Sequence, residues 1–173
     1  MSINLSPSVE LAHQLLIQVP ERTFALDATC GNGHDTLFLA QHYERVMGID
    51  IQPLAIKRTL QRTSKCSNVK ILLHPHETVH ELVPNPIDAI LFNLGFLPGG
   101  DRRIITHKET TILALQRLLP LLKKGGKCIL VLYSQHDQGL ESNSILAYLL
   151  THSIPHKIYE SETHVKVIEI LCM

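Results

Sequence analysis

The sequence predicts an α/β fold: a doubly wound, mostly parallel sheet of about seven strands with an antiparallel C-terminal strand. Three observations carry that expectation. Short apolar runs alternate with segments of helical period along most of the chain, as parallel β-α-β units require. The first apolar run opens onto Gly31-Asn32-Gly33, a turn that lets a ligand approach the backbone closely. Two strand-like runs near the end are separated only by the polar Ser161-Glu162-Thr163, which suggests a hairpin.

Taken in order, Pro7 suits a first helical turn, and Val9, Leu11, Ala12, Leu15 and Leu16 recur at helical spacing until Pro20. A leading helix over about residues 7–19 is therefore expected. Residues 24–28 form a strand, Gly31-Asn32-Gly33 a turn, and 35–42 a helix carrying Leu37, Phe38 and Ala40. The unit repeats, with a strand at 45–49 ending on Asp50, a helix at 53–63, and a strand at 69–73 ending on His74-Pro75-His76. Residues 87–92 form the fourth strand. A helix follows at 106–123, with Ile112, Leu115, Leu118 and Leu122 on one side and Gly125-Gly126 at its end. The near-continuous apolar run 128–133 reads as a central strand covered on both faces. Residues 144–151 form the last helix, and 156–159 and 165–171 the closing hairpin.

A length of 173 residues with 45% hydrophobic content suits one domain over 1–173 and is too short for two ordinary ones. No internal repeat, low-complexity tract or linker interrupts it. Sixteen basic residues balance sixteen acidic ones, which excludes a global field for nucleic acid or anionic membrane and leaves local recognition. No apolar run approaches the roughly 20 residues that span a bilayer, and the first residues lack a signal-peptide pattern. A cytoplasmic protein with no membrane partner is expected. Cys30, Cys66, Cys128 and Cys172 are scattered without CxxC or CxxH spacing, so reduced thiols and no metal site are expected.

In such a sheet, ligands bind beyond the carboxyl ends of the first and fourth strands, where strand order reverses. Gly31 and Gly33 fall there, beside the free N–H groups of a helix start. A dinucleotide turn would have a third glycine near Thr36. Its absence, with acidic Asp27 at the strand end, disfavours a pyrophosphate and favours a ligand bearing an amino group and a carboxylate. The methionine part of S-adenosyl-L-methionine has both. Asp50 ends the second strand, where an acid can accept ribose hydroxyl protons. Alone, the glycines would be only a tight turn and Asp50 a helix cap; their placement at consecutive strand ends makes an adenosine ligand coherent. The loop pair His76-Glu77 is the expected neighbour of the adenine.

The fourth strand runs into Phe92-Asn93-Leu94-Gly95-Phe96-Leu97-Pro98-Gly99-Gly100-Asp101. Asn93 offers both a donor and an acceptor, Phe96 can stack on a base, and Asp101 can accept from an amine. The bland alternative makes Pro98-Gly99-Gly100 a turn and Phe96 a core residue. Methyl transfer from a sulfonium needs an in-line nucleophile and no covalent intermediate or metal, so positioning dominates. An amine acceptor must be neutral to attack; an amide or carboxylate can orient it, with His34, His107, His136 or water as proton acceptor. Lys57, Arg58, Arg62, Lys65 and Lys70 read as a solvated basic face. Arg102, Arg103 and Lys108 follow the loop, where a phosphate beside a splayed-out base would lie.

The segment Asp27-Ala28-Thr29-Cys30-Gly31-Asn32-Gly33-His34-Asp35-Thr36-Leu37-Phe38-Leu39-Ala40 and the Phe92-to-Asp101 loop closely resemble two signature segments of a small bacterial methyltransferase family labelled as rRNA methylases. The similarity extends through 106–111 and Gly125-Gly126, over nearly the whole domain. Members are associated with methylating the 5-aminomethyl group of tRNA wobble 5-aminomethyl-2-thiouridine. The resemblance implies a Rossmann-like class I fold dependent on S-adenosyl-L-methionine, a homodimer, and the tRNA anticodon stem-loop as partner. It implies a cofactor surrounded by Asp27, Gly31, Asn32, Gly33, Asp35, Asp50 and Gln52; Ala28, Thr36, His76, Glu77 and Asn93 complete the expected cofactor site. Asn93 and Asp101 would be catalytic. Leu94, Gly95, Phe96, Pro98, Gly99, Gly100, Arg102 and Arg103 would meet the acceptor, with His136 from a less exactly matching segment at 134–139. The alternatives are a methyltransferase of rRNA or a small amine, and a noncatalytic cofactor-binding module.

Overall fold

The computed structural model describes residues 6–133, 138–160 and 165–172; His136 and Ser161-Glu162-Thr163, where the hairpin connection is expected, lie outside them. The strands are β1 (Phe24–Asp27), β2 (Arg45–Asp50), β3 (Val69–Leu73), β4 (Ile87–Asn93), β5 (Leu122–Tyr133), β6 (His156–Glu160) and β7 (Val165–Leu171). The helices are α1 (Pro7–Leu16), α2 (His34–His42), α3 (Pro53–Arg62), α4 (Lys108–Leu118) and α5 (Leu140–Thr151). All the strands join one sheet in the order β3-β2-β1-β4-β5-β7-β6, with β7 antiparallel to both its neighbours. Ala25 of β1 pairs with Val46 of β2 on one side and Ala89 of β4 on the other, so the order reverses at β1, as expected.

The core forms two layers because successive strand residues face opposite sides of the pleat. On one side Ile90, Phe92, Leu130 and Ile168 pack with Leu115 and Leu118 of α4 and Ile145 and Leu149 of α5. On the other, Leu91, Ile129 and Val131 pack with Leu15 and Leu16 of α1 and Leu39 of α2. Covering both faces explains why the central strands read as unbroken apolar runs. Leu16 and Leu39 are fully buried, and truncating either to Ala is expected to cost about 2–5 kcal/mol. No helix among the described residues is long and apolar enough to cross a membrane.

Several boundaries differ from expectation for identifiable reasons. α1 is capped by Ser6, whose hydroxyl accepts from the Val9 N–H at 3.4 Å, and ends at Leu16 rather than near 19. The helix expected at 106–123 stops at Leu118. Pro120, in the 3-10 turn Leu119–Leu121, has no N–H to continue an α-helical ladder. Leu122 already opens β5, so Gly125-Gly126 lies inside a strand instead of ending a helix. The register jumps from Ile87 opposite Leu122 to Ala89 opposite Lys127, which makes room for the pair. A Cβ on Gly126 would stand 2.8 Å from the carbonyl oxygens of Asp88 and Lys123, so glycine lets the backbones close in. α5 begins earlier than expected, at Leu140, and residues His76–Glu81 form a 3-10 turn rather than an open loop.

Candidate active site

Where β1, β2 and β4 end, their loops enclose a cavity of about 740 Å³. Its walls include Ala28, Gly31, Asn32 and Asp35 after β1, Asp50 and Gln52 after β2, His76 and Glu77 after β3, and Asn93 to Pro98 after β4. α1 adds Val9, expected only as an apolar position of the leading helix, and its cap Ser6 also lines the wall.

The glycine turn is shaped by two close approaches. Gly31 adopts φ +49°, and its N–H donates to Asp50 Oδ2 at 3.1 Å. Gly33 adopts φ +78°, and a Cβ there would meet Thr59 Cα of α3 at 2.7 Å. Gly33 therefore serves helix packing and does not line the cavity. Asp50 Oδ1 also accepts from the Gln52 N–H at 2.9 Å. Each carboxylate oxygen keeps lone-pair capacity for a ribose hydroxyl. Burial raises the Asp50 pKa, opposed by the hydrogen bonds from Gln52 and Gly31.

Asp27, expected to meet a ligand amino group, is fully buried and absent from the cavity wall. Its carboxyl accepts from the Thr36 hydroxyl at 2.5 Å and the Thr29 N–H at 3.3 Å, so Thr36 is likewise a buried partner and not a wall residue. Burial and then the neighbouring Asp35 charge push the Asp27 pKa up to about 8. The acid that this turn presents to the cavity is Asp35. Its Oδ1 lies 2.8 Å from His13 Nε2, and its Oδ2 accepts from Asn93 Nδ2 at 2.9 Å. The Asn93 backbone N–H donates to Thr29 Oγ1 at 2.8 Å, tying β4 to the first turn. His13 carries no sequence signal of its own, since its partner Asp35 lies 22 residues away on another element.

His76 and His34 also line the cavity, and burial lowers the pKa of both, with the Arg62 charge adding to the shift at His34. His76 Nε2 and His34 Nδ1 are buried without a hydrogen-bond partner, and His76 Nε2 lies 3.9 Å from Glu77 Oε2. His107 reaches the cavity as well.

Arg58, expected on a solvated face, instead clamps the loop after β4 to the glycine turn, and the exposed Arg62 braces that turn. The Arg58 guanidinium donates to the Asn32 side-chain oxygen and the Pro98 carbonyl at 2.9 Å each, and to the Gly99 carbonyl at 3.1 Å. Arg62 Nε donates to the Asn32 carbonyl at 2.7 Å. The signal was their i, i+4 spacing on α3, which puts both on one side of the helix.

Farther along the loop, the expected site residues separate. Leu94, Gly95, Phe96 and Pro98 line the cavity, whereas Gly99 and Gly100 form the turn beyond it. Asp101, expected to be catalytic, is exposed and outside the wall. It accepts from the Arg103 guanidinium at 2.7 and 3.0 Å, which holds its carboxyl below the usual carboxylate range. That local ion pair turns both side chains to the surface. Arg102 places its guanidinium 5.6 Å from the Phe96 ring centroid, on the cavity rim.

A sheet whose order reverses at β1, an antiparallel β7, a glycine turn and an acid after β2 define a class I S-adenosylmethionine-dependent methyltransferase. The family model described as "Putative rRNA methylase" matches residues 46–169, and the chain belongs to that family. A curated relative from Arabidopsis thaliana, named chloroplastic tRNA (mnm(5)s(2)U34)-methyltransferase, is 34% identical over 158 residues. That match covers 80% of this chain and 57% of the relative, so the chain spans little more than half the relative's length. A Clostridium thermocellum structure given the same description as the family superposes with a TM-score of 0.90 at 30% identity, covering 99% of this chain and 100% of that one. A Streptococcus mutans protein, named for methyltransferase activity and solved in complex with SAH, gives 0.84 at 30% identity over 96% and 99%.

Proposed function

We propose that the chain uses S-adenosyl-L-methionine to methylate the 5-aminomethyl group of tRNA wobble 5-aminomethyl-2-thiouridine, forming the 5-methylaminomethyl nucleoside. The observation that carries the reading is the Asp35–Asn93 pair at the strand-order switch. A carboxylate only accepts, so the Asn93 amide nitrogen faces Asp35 and its Oδ1 is left to accept from an amine N–H. The similarity to the Arabidopsis relative supports the same acceptor.

The cavity fits the cofactor by its chemistry. Asp50 offers acceptors for two ribose hydroxyls, and His76 and Glu77 line the wall after β3 where the adenine would lie. Asp35 supplies negative charge to a cationic ligand. When bound, S-adenosyl-L-methionine supplies an electrophilic methyl group on a sulfonium. Asn93 orients the amine and the Phe96 face offers a stacking surface for the uracil ring. Arg102 stands beside Phe96 at the rim, where an RNA phosphate would pass, and Arg103 adds positive charge at the surface next to it. The same reading makes the anticodon stem-loop the partner and a cytoplasmic homodimer the working form.

Nucleoside mass spectrometry after incubating the protein and S-adenosyl-L-methionine with tRNA bearing 5-aminomethyl-2-thiouridine tests the reading. A gain of one methyl confined to that nucleoside is expected. Methylation of another nucleoside or of a small amine would replace the acceptor, and cofactor binding without any transfer would make the domain noncatalytic. Arg102→Ala is expected to flatten the salt dependence of RNA binding; an unchanged slope would remove that phosphate contact.

A further inference from the structure

Helix α1 stands outside the β-α-β repeat and packs on β5 and β7, yet it sends the buried His13 imidazole to the cavity acid. Two contacts fix that ring. It stacks on Phe38 with centroids 3.7 Å apart and planes within 6°, which sets its plane. Its Nε2 lies 2.8 Å from Asp35 Oδ1, which sets its rotation within that plane. Because the carboxylate only accepts, Nε2 carries the proton directed at Asp35.

Asp35 is thus held through one oxygen by α1 and through the other by Asn93 of β4. Releasing the first contact would let the carboxyl rotate and take the carboxamide with it. Such a small misplacement matters because an in-line transfer depends on where the amine lone pair points.

We propose that His13 is a positioning residue for methyl transfer: through Asp35 it holds the Asn93 carboxamide with Oδ1 turned to an N–H of the acceptor amine. This inference rests on the amine-methylating reading above. The amine nitrogen's lone pair forms the new N–C bond as the S–C bond breaks, and that bond's electrons remain on sulfur as a neutral thioether. The methylated ammonium then releases its proton to water. His13 touches neither reacting atom; its effect passes through the Asp35 carboxylate.

His13→Phe keeps a ring to stack on Phe38 and removes the donor, whereas His13→Gln restores an N–H donor without the ring. With tRNA as substrate, His13→Phe is expected to lower kcat about 10–100-fold while leaving KM and the affinity for S-adenosylhomocysteine within about twofold. His13→Gln is expected to regain about tenfold of that loss. The Asn93 side-chain amide signals in a ¹⁵N spectrum, identified by their loss in Asn93→Asp, are expected to shift in His13→Phe. Wild-type kcat in His13→Phe, or unmoved Asn93 signals, would overturn the proposal. If His13→Phe does not fold, His13→Leu takes its place beside His13→Gln: kcat at least about fivefold lower in His13→Leu than in His13→Gln supports the role, and a smaller difference overturns it. If the wild-type protein leaves the aminomethyl nucleoside unmethylated, the proposed function fails, while the Asn93 signals still decide whether His13 positions that amide.

Discussion

The carboxylate of Asp50 accepts a hydrogen bond from the Gly31 backbone N–H at 3.1 Å, joining the end of β2 to the turn after β1. One side chain therefore shapes the glycine turn and faces the cavity. Asp50→Ala removes both contributions and is expected to weaken S-adenosylhomocysteine binding about tenfold or more, roughly 1.4 kcal/mol, by calorimetry. Affinity within about twofold of wild type would place the ribose elsewhere.

Asn93 and Asp101 bracket the same loop but meet different surroundings. Asn93→Ala is expected to lower kcat about 100-fold with a much smaller change in cofactor affinity, since its amide faces the cavity beside Asp35. Asp101→Ala is expected to keep kcat within about threefold, because its exposed carboxylate pairs with Arg103. A collapse of turnover in Asp101→Ala, measured on the same tRNA, would mean that the loop rearranges to bring this acid to the substrate.

Arg58 binds three oxygens at once, from Asn32, Pro98 and Gly99. A lysine is a point charge without the planar fork, so Arg58→Lys keeps the charge and loses the geometry. Faster backbone hydrogen exchange at residues 96–103 and a raised tRNA KM are expected. Unchanged exchange there would show that the loop is held without the clamp.

Asp27 gives the apoprotein a specific pH dependence. Its folded pKa is about 8 against an ordinary 3.8, with burial the main cause. Between those values the folded state keeps a proton that the unfolded chain has lost, so stability falls as pH rises through the window and levels off above it. Asp27→Asn is expected to flatten this decline in urea unfolding at pH 5, 6.5 and 8. A wild-type curve as flat as that of the variant would show that Asp27 ionises normally in the fold.

The alternation of elements, the glycine turn after β1, the acid ending β2 and the strand-order switch at β1 were legible in the sequence. Each is written in a few neighbouring residues: apolar periodicity, Gly31 and Gly33 in left-handed backbone, and apolar runs covered on both faces. The Asn93-to-Pro98 wall followed from the same logic. Tertiary structure alone decided where four other polar groups went. It buried Asp27 against Thr36, turned Asp101 out to Arg103, and recruited Arg58 and His13 to the site. It also moved Gly125-Gly126 from a helix end into β5, where the register with β4 required glycine. Local conformation depends on residues a few places apart. His13 and Asp35 are 22 residues apart, Arg58 and Pro98 40, and Asp35 and Asn93 58. Such contacts exist only once the sheet order brings separate loops to one end, and no periodicity along the chain records them.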